Sequence, residues 1–142
     1  MPAGYSGTPL PRKLGIKEGF RVGLLRAPHD VESILGPLPI GAQLVSLPGK
    51  DLEVVLLFAR TRIELARELP RAKNAIVNDG ALWLCWPKKT SRLARDLTGN
   101  VVRESGLASG LVDIKVCAVD EDWSGLKFVY RIADRRNASK KK

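Results

Sequence analysis

The sequence has two cysteines, one histidine, one methionine and only 6% aromatic residues, and each scarcity closes a route. Cys85 and Cys117 both sit in apolar, strand-like runs, where buried thiols in a reducing compartment are expected rather than a disulfide staple. Two cysteines and His29 fall short of the four ligands of a structural zinc site, so no metal is expected. No apolar run exceeds the six residues of Val54 to Ala59, against about twenty for a membrane-spanning helix. The opening MPAGYSGTPLPRKLG lacks the continuous apolar stretch of an export signal. A cytoplasmic protein with no membrane segment is expected.

What is present is one domain's worth of chain. With 142 residues, 44% of them hydrophobic, about two-thirds of the unfolded surface can be buried without staples. A single α/β domain over residues 1–133 is expected, with residues 1–19 contributing a segment and helix that pack on it, followed by a disordered basic tail over 134–142. The net charge of +9 is uneven. Residues 131–142 hold six basic residues against Asp134, a net +5. Residues 1–19 hold a net +2, which leaves +2 for residues 20–130. The tail is either a solvated end or an arm for phosphate backbones; without aromatic residues for base stacking, only weak, unspecific nucleic-acid binding is expected of it.

Between the ends, strand-like and helix-like runs alternate. Phe20 to Leu25 is a short apolar run that suits a buried strand. Asp30 offers an N-cap for a helix through Leu35, closed by Gly36 and Pro37. Ala42 to Leu47 is a weaker strand, and Glu53 to Phe58, apolar without alternation, belongs at the sheet centre. Thr61-Arg62-Ile63-Glu64 has capping-box spacing. Leu65, Leu69, Ala72 and Ile76 then form a helical stripe that Pro70 should kink or divide near Leu69. Asn78-Asp79-Gly80 reads as a turn into the strand Ala81 to Trp86. A polar loop over Lys88 to Arg95 leads to a helix capped by Asp96 or Thr98 and stopped at Gly106. Leu111 to Val119 and Leu126 to Ile132 form an antiparallel hairpin about the turn Asp120 to Gly125. The order predicts a three-layer, Rossmann-like α/β fold with a mostly parallel sheet ending in that hairpin. Only Pro48 to Leu52 separate Ala42–Leu47 from Glu53–Phe58, so the former is either a short edge strand or bridge, or it runs antiparallel.

The run Leu14 to Leu25, the run Val77 to Leu84 and the final hairpin together resemble the C-terminal two-thirds of the class I methyltransferase fold. More specifically, YSGTPL with KLGIK, WPKK followed by DLT, and GLVDIKVCAVDEDWSGLKF are similar to a bacterial family of unknown function, over residues 4 to about 131. Methyltransferases cradle the methionine part of S-adenosylmethionine on a glycine-rich turn after the first strand. Here that place reads Arg26-Ala27-Pro28-His29, and no acidic residue closes the second strand. The resemblance therefore implies methyltransferase-like ancestry without the cofactor's handles, and no cofactor is expected.

In an open α/β sheet, ligands bind beyond the carboxyl ends of the parallel strands. A pocket is expected there among Arg26, Pro28, His29, Asp30, Thr61, Trp86, Lys88, Lys89 and Ser91. Lys88 and Lys89, with Thr90, Ser91 and the helix start at Thr61, could receive a small anionic ligand, or form a solvated basic loop. His29 is a general-base candidate or a helix-start residue. Asp120-Glu121-Asp122 could hold a cation or simply build a turn. Trp83 and Trp86, three apart in a strand, face opposite sides. Trp123 and Ser124 in the hairpin turn either cover the sheet end or mark a protein-partner surface, and Tyr5, Ser6 and Thr8 are candidates for a lid over the pocket. The leading expectation is a binding or regulatory module, non-catalytic or at most weakly catalytic. The alternatives are a small S-adenosylmethionine- or nucleotide-dependent transferase and a nucleic-acid accessory protein.

Overall fold

The computed structural model describes residues 7–47 and 49–135. In chain order the elements are α1 (Leu10–Lys13), β1 (Arg21–Leu25), α2 (Val31–Leu35), β2 (Gln43–Ser46), β3 (Leu52–Phe58), α3 (Arg62–Ala75), β4 (Ile76–Pro87), α4 (Gly99–Ala108), β5 (Leu111–Ala118) and β6 (Trp123–Tyr130). The six strands form one sheet in the order β2-β1-β3-β4-β6-β5. β2, β1, β3 and β4 run parallel, and β6 pairs antiparallel with both β4 and β5. β3 lies inside the sheet with both faces covered, as its unbroken apolar run requires.

One face is closed by α3 and α4 over Leu57, Leu82, Leu84 and Phe128; the other is closed by α2 and the α1 segment over Val54, Phe58, Trp83 and Trp123. The indole N–H of fully buried Trp83 donates to the Leu14 carbonyl at 3.0 Å, which ties the α1 segment to the sheet. Trp83 faces the α1 and α2 side while Trp86 packs on the α3 and α4 side, the alternation a strand demands.

β2 is a short parallel edge strand beside β1, and β1 separates it from β3. The return from β2 to β3 therefore crosses β1 without a helix. Gly23 makes room for it: a side-chain carbon there would lie 2.5 Å from Leu52 Cδ1 and 3.6 Å from Leu47 Cδ2. The Arg21 guanidinium holds the link by donating to the Lys50 carbonyl at 3.2 Å and the Asp51 carbonyl at 2.7 Å.

Several local expectations are corrected. α3 runs unbroken through Pro70, because its buried stripe of Leu65, Leu69 and Ala72 holds both halves on the sheet while Pro70 faces solvent. Asn78 to Gly80 is no turn but part of β4. Leu52 pairs with Ile76 and Val54 already with Ala81, so the extra residues bulge out of the ladder, and Gly80 passes so close to β3 that a side-chain carbon would lie 2.8 Å from the Glu53 carbonyl. Gly106 does not stop α4. It is buried against Phe128, and the helix ends before Gly110, at φ 99°. Asp30 stands at the N-cap of α2 but makes no side-chain cap bond. β6 begins at Trp123 and ends at Tyr130, and Ile132 to Arg135 are helical. Residues 136–142 of the expected tail lie outside the described residues.

Cys85 and Cys117 are buried and free. Both pair with Gly125 of the strand between them. Two strand spacings put their α-carbons about 10 Å apart, beyond the roughly 7 Å that a disulfide spans.

Candidate functional site

From β1 the chain moves outward to β2, then returns across β1 to β3, so the strand order reverses between β1 and β3. An open sheet parts its loops at such a point, beyond the carboxyl ends of the strands. The cleft found there, about 550 Å³, is lined by Arg26 to Asp30 after β1, Phe58 and Arg60 at the end of β3, Glu64 of α3, and Leu93, Asp120, Asp122 and Trp123 from the far side.

Its floor is aromatic. Phe58 and Trp123 meet edge to face, with ring centroids 5.0 Å apart at 88°, and Trp123 is only 3% exposed. Trp123 is thus core, which corrects the expectation of a turn residue; Ser124 beside it pairs across the sheet with Trp86 and Ala118. The hairpin turn is built by Asp120, whose carboxylate accepts the amides of Asp122 and Trp123, both at 2.8 Å. That use is turn chemistry rather than cation binding. No cluster of His, Cys, Asp and Glu able to hold a metal is present among the described residues. Asp122 in turn laces the loop after β4 to the hairpin. It accepts the Ser91 hydroxyl at 2.8 Å, and its carbonyl accepts the Lys88 amide at 2.8 Å. Ser91 Oγ accepts the Leu93 amide at 3.0 Å, which sets Leu93 on the rim.

The opposite wall is ionic. Arg26 directly follows β1 in the left-handed region, at φ 58°, a conformation that costs a side-chain-bearing residue about 1–2 kcal/mol. Its guanidinium lies 2.9 Å from Glu64 and 3.6 Å from Glu68. Glu68 is the buried charged residue of the described chain and also accepts from Arg71 at 3.0 Å. Glu64 further accepts the Arg60 amide at 2.8 Å and sends its own amide to Thr61 Oγ at 3.1 Å, so the expected cap is in place. The Arg62 amide goes to the Asp96 carboxylate at 2.9 Å. The amides of Arg62, Glu64 and Leu65 at the start of α3 are thereby taken by the protein's own groups, which leaves few of them for an anion.

Of the expected pocket residues, Arg26, Pro28, His29 and Asp30 come together in the cleft, and Trp123 joins them. Thr61 caps α3, Ser91 braces the rim from behind, and Trp86 packs against Gly99 on the other face, within 3.2 Å of where a side-chain carbon would stand. Lys88 and Lys89 are outside the lining. Of the lid candidates, exposed Thr8 is not among the lining residues, while Tyr5 and Ser6 lie outside the described residues. Sequence reasoning missed Glu64 as a wall residue because its capping spacing explained it locally, whereas its pairing with Arg26 spans two elements. Phe58 was hidden as the last residue of an apolar run.

The family model described as "Protein of unknown function (DUF3052)" matches residues 29–132. The chain belongs to that family. No curated protein matches the sequence. Among solved structures, this DUF3052 chain is similar to a "possible exported protein" of Bordetella parapertussis, with TM-score 0.63 and 10% identity, over 85% of this chain and 65% of that one. It is similar to a TehB-like SAM-dependent methyltransferase of Corynebacterium glutamicum, with TM-score 0.55 and 10% identity, over 91% of each chain. A SAM-dependent methyltransferase of Aquifex aeolicus matches with TM-score 0.50 and 14% identity, over 82% of this chain and 85% of that one. The chain thus spans about two-thirds of the length of the Bordetella protein. At such identities the likeness is one of fold: a methyltransferase-like Rossmann sheet, mostly parallel, closed by an antiparallel hairpin. No helix among the described residues is long and apolar enough to cross a membrane.

Where S-adenosylmethionine would need bare backbone after β1, the DUF3052 chain carries Arg26 bound to Glu64 and Glu68. β2 ends at Ser46, followed by Leu47, and neither supplies a carboxylate to hold a ribose. These residues do not fit that cofactor in its usual pose.

Proposed function

We propose that this chain is a binding module on a methyltransferase-like frame, and that its cleft holds a small anionic ligand without carrying out methyl transfer. The observation that carries the reading is Arg26. A left-handed arginine sits at the turn where backbone must otherwise approach a cofactor, and its guanidinium is spent on two carboxylates of α3. Two lining charges remain available, the Arg60 guanidinium and the Asp30 carboxylate, which makes no cap bond, and the anionic character of the ligand is read from Arg60. Glu64 is committed to Arg26 and to the Arg60 amide, and Asp120 and Asp122 to the turn and to Ser91. The Arg60 guanidinium has no carboxylate partner among the described residues and lines the cleft, as does His29.

Thermal unfolding of the full chain with S-adenosylmethionine and S-adenosylhomocysteine tests this. The expected result is no saturable rise in stability from either. A ligand present at a hundred times its dissociation constant stabilises by about 2.7 kcal/mol, so a saturating shift of that size would overturn the proposal in favour of a transferase with a rearranged site. In the same assay with a panel of small carboxylates and phosphates, at least one is expected to stabilise the wild type and not Arg60→Gln.

A further inference from the structure

On the α1 and α2 face, far from the cleft, the fold gathers lysines that the sequence scatters. Lys115 of β5 and Lys127 of β6 are direct cross-strand partners, an arrangement in which like charges repel. The α1 segment adds two more. Lys13 lines a shallow hollow with Lys115, Val116 and Cys117, and Lys17 lines a neighbouring hollow with Lys127. The Lys127 ammonium rests against the turn after α1, 3.5 Å from where a side-chain carbon on Gly15 would stand.

Neutralising groups are few. Lys17, Lys115 and Lys127 form no ion pair among the described residues. Asp113 of β5 is engaged by Arg103 at 3.1 Å on the α4 side. Glu53 and Asp79 edge the hollow of Lys17 and Lys127 and bring negative charge to it, Glu53 while accepting the Arg21 amide at 2.6 Å, but neither comes within ion-pair distance of these lysines. Partial burial lowers the affinity of Lys127 for its proton, and Lys115 and Lys17 lower it further. A fold that holds unpaired ammoniums together in this way bears a cost that a bound polyanion would relieve.

Residues 14–17 lie against Lys127 of β6, and β6 leads into Arg131 and Arg135, the latter held at the foot of the strand by a bond from its Nε to the Tyr130 carbonyl at 2.9 Å. We infer that the β5–β6 edge of this face, with Lys13, Lys17, Lys115 and Lys127, binds the phosphate backbone of a nucleic acid. A recessed ammonium such as Lys127 is reached by a phosphate strand entering the hollow, whereas a flat bilayer surface is met by protruding cations. Trp83 below the patch is fully buried, so it offers no stacking platform and the recognition is independent of sequence.

The test is fluorescence anisotropy of the full chain with a labelled single-stranded RNA of mixed sequence, across a salt series. The Lys115→Gln/Lys127→Gln double variant is expected to bind on the order of tenfold more weakly, with a salt slope shallower by about 1.4, as two lost phosphate contacts require. Its thermal midpoint should equal or exceed that of the wild type, since a repulsion is removed. Lys115→Arg/Lys127→Arg should restore binding, and Lys89→Gln/Arg92→Gln, equal in charge but beyond the other end of β4, should leave it unchanged. Absence of wild-type RNA binding at low salt, an unaltered slope in the double variant, equal losses in the Lys89/Arg92 control, or binding confined to anionic vesicles would each overturn the inference.

Discussion

On one face of the sheet, helices of 14 and 10 residues lay stripes of leucine, alanine and valine over β3, β4 and β6. On the other, helices of 4 and 5 residues leave most of the covering to the strands' own side chains, above all Phe58, Trp83 and Trp123. The first face contains Phe128 as its buried aromatic among many leucines, while the second concentrates its volume in large rings. A long amphipathic helix can shield a strand with periodic small and medium residues, but a helix of a single turn cannot, so bulk must come from the sheet. The thinner face is also where the cleft opens and the lysines gather. Loops and short segments leave ligand-sized hollows that packed helices close.

Trp83→Ala should break this contrast most severely. It removes a fully buried indole and orphans the Leu14 carbonyl, at an expected cost of about 3–5 kcal/mol in urea unfolding. Leu69→Ala on the helical face should cost about 2–5 kcal/mol, but with a different pattern. In Trp83→Ala, hydrogen-exchange protection around Leu14 and Ile16 should vanish first, whereas Leu69→Ala should lower protection in α3 and leave the α1 segment intact. Retained protection of Leu14 to Ile16 without the indole would show that something else closes the thin face.

Gly106→Ala probes the helical face. Alanine is favoured over glycine in a helix by about 1 kcal/mol, yet a methyl here would collide with the Phe128 ring. A net destabilisation of about 1–3 kcal/mol is expected from overpacking, read as a lower midpoint in chemical denaturation. A rise in stability would mean that α4 stands further off β6 than the close contact implies.

The same contrast explains what could be read from sequence. Strand and helix identities followed from local periodicity, so Glu53 to Phe58 and the Thr61 cap were legible almost residue by residue, and the terminal hairpin as a pair of strands whose second member starts at Trp123 rather than Leu126. Glycines were not. Gly106, Gly80 and Gly23 look like punctuation in one dimension, but each marks a place where another element comes too close for a side chain, and that neighbour is remote in sequence. The cleft was half legible for the same reason. Its position follows from the end of β1, whereas the Arg26 to Glu64 pairing and the Phe58 to Trp123 contact depend on which loops the reversal at β1 brings together. Lys88 and Lys89 drew attention as adjacent charges, while Lys115 and Lys127, apart in sequence and side by side in the sheet, did not.

Cys85 offers a milder probe of the thin face through its dependence on pH. Burial pushes its thiol far above the ordinary value near 9, and the neighbouring Cys117 and Asp120 push it in the same direction. In the unfolded chain the thiol ionises as pH rises through that ordinary value; in the folded chain it keeps its proton. Above about pH 9 the unfolded state therefore binds fewer protons, and stability falls by up to about 1.4 kcal/mol per pH unit from this group, with no contribution below. Burial also raises Cys117, but Lys13 and Lys115 pull it back, so its share of the fall is smaller. Cys85→Ala should be less stable than wild type at pH 7 through the small cavity it leaves, and the gap should narrow steadily above pH 9 in chemical denaturation. Parallel curves up to pH 10.5 would mean that water reaches Cys85 and that the rings of Trp83 and Trp123 do not seal this face.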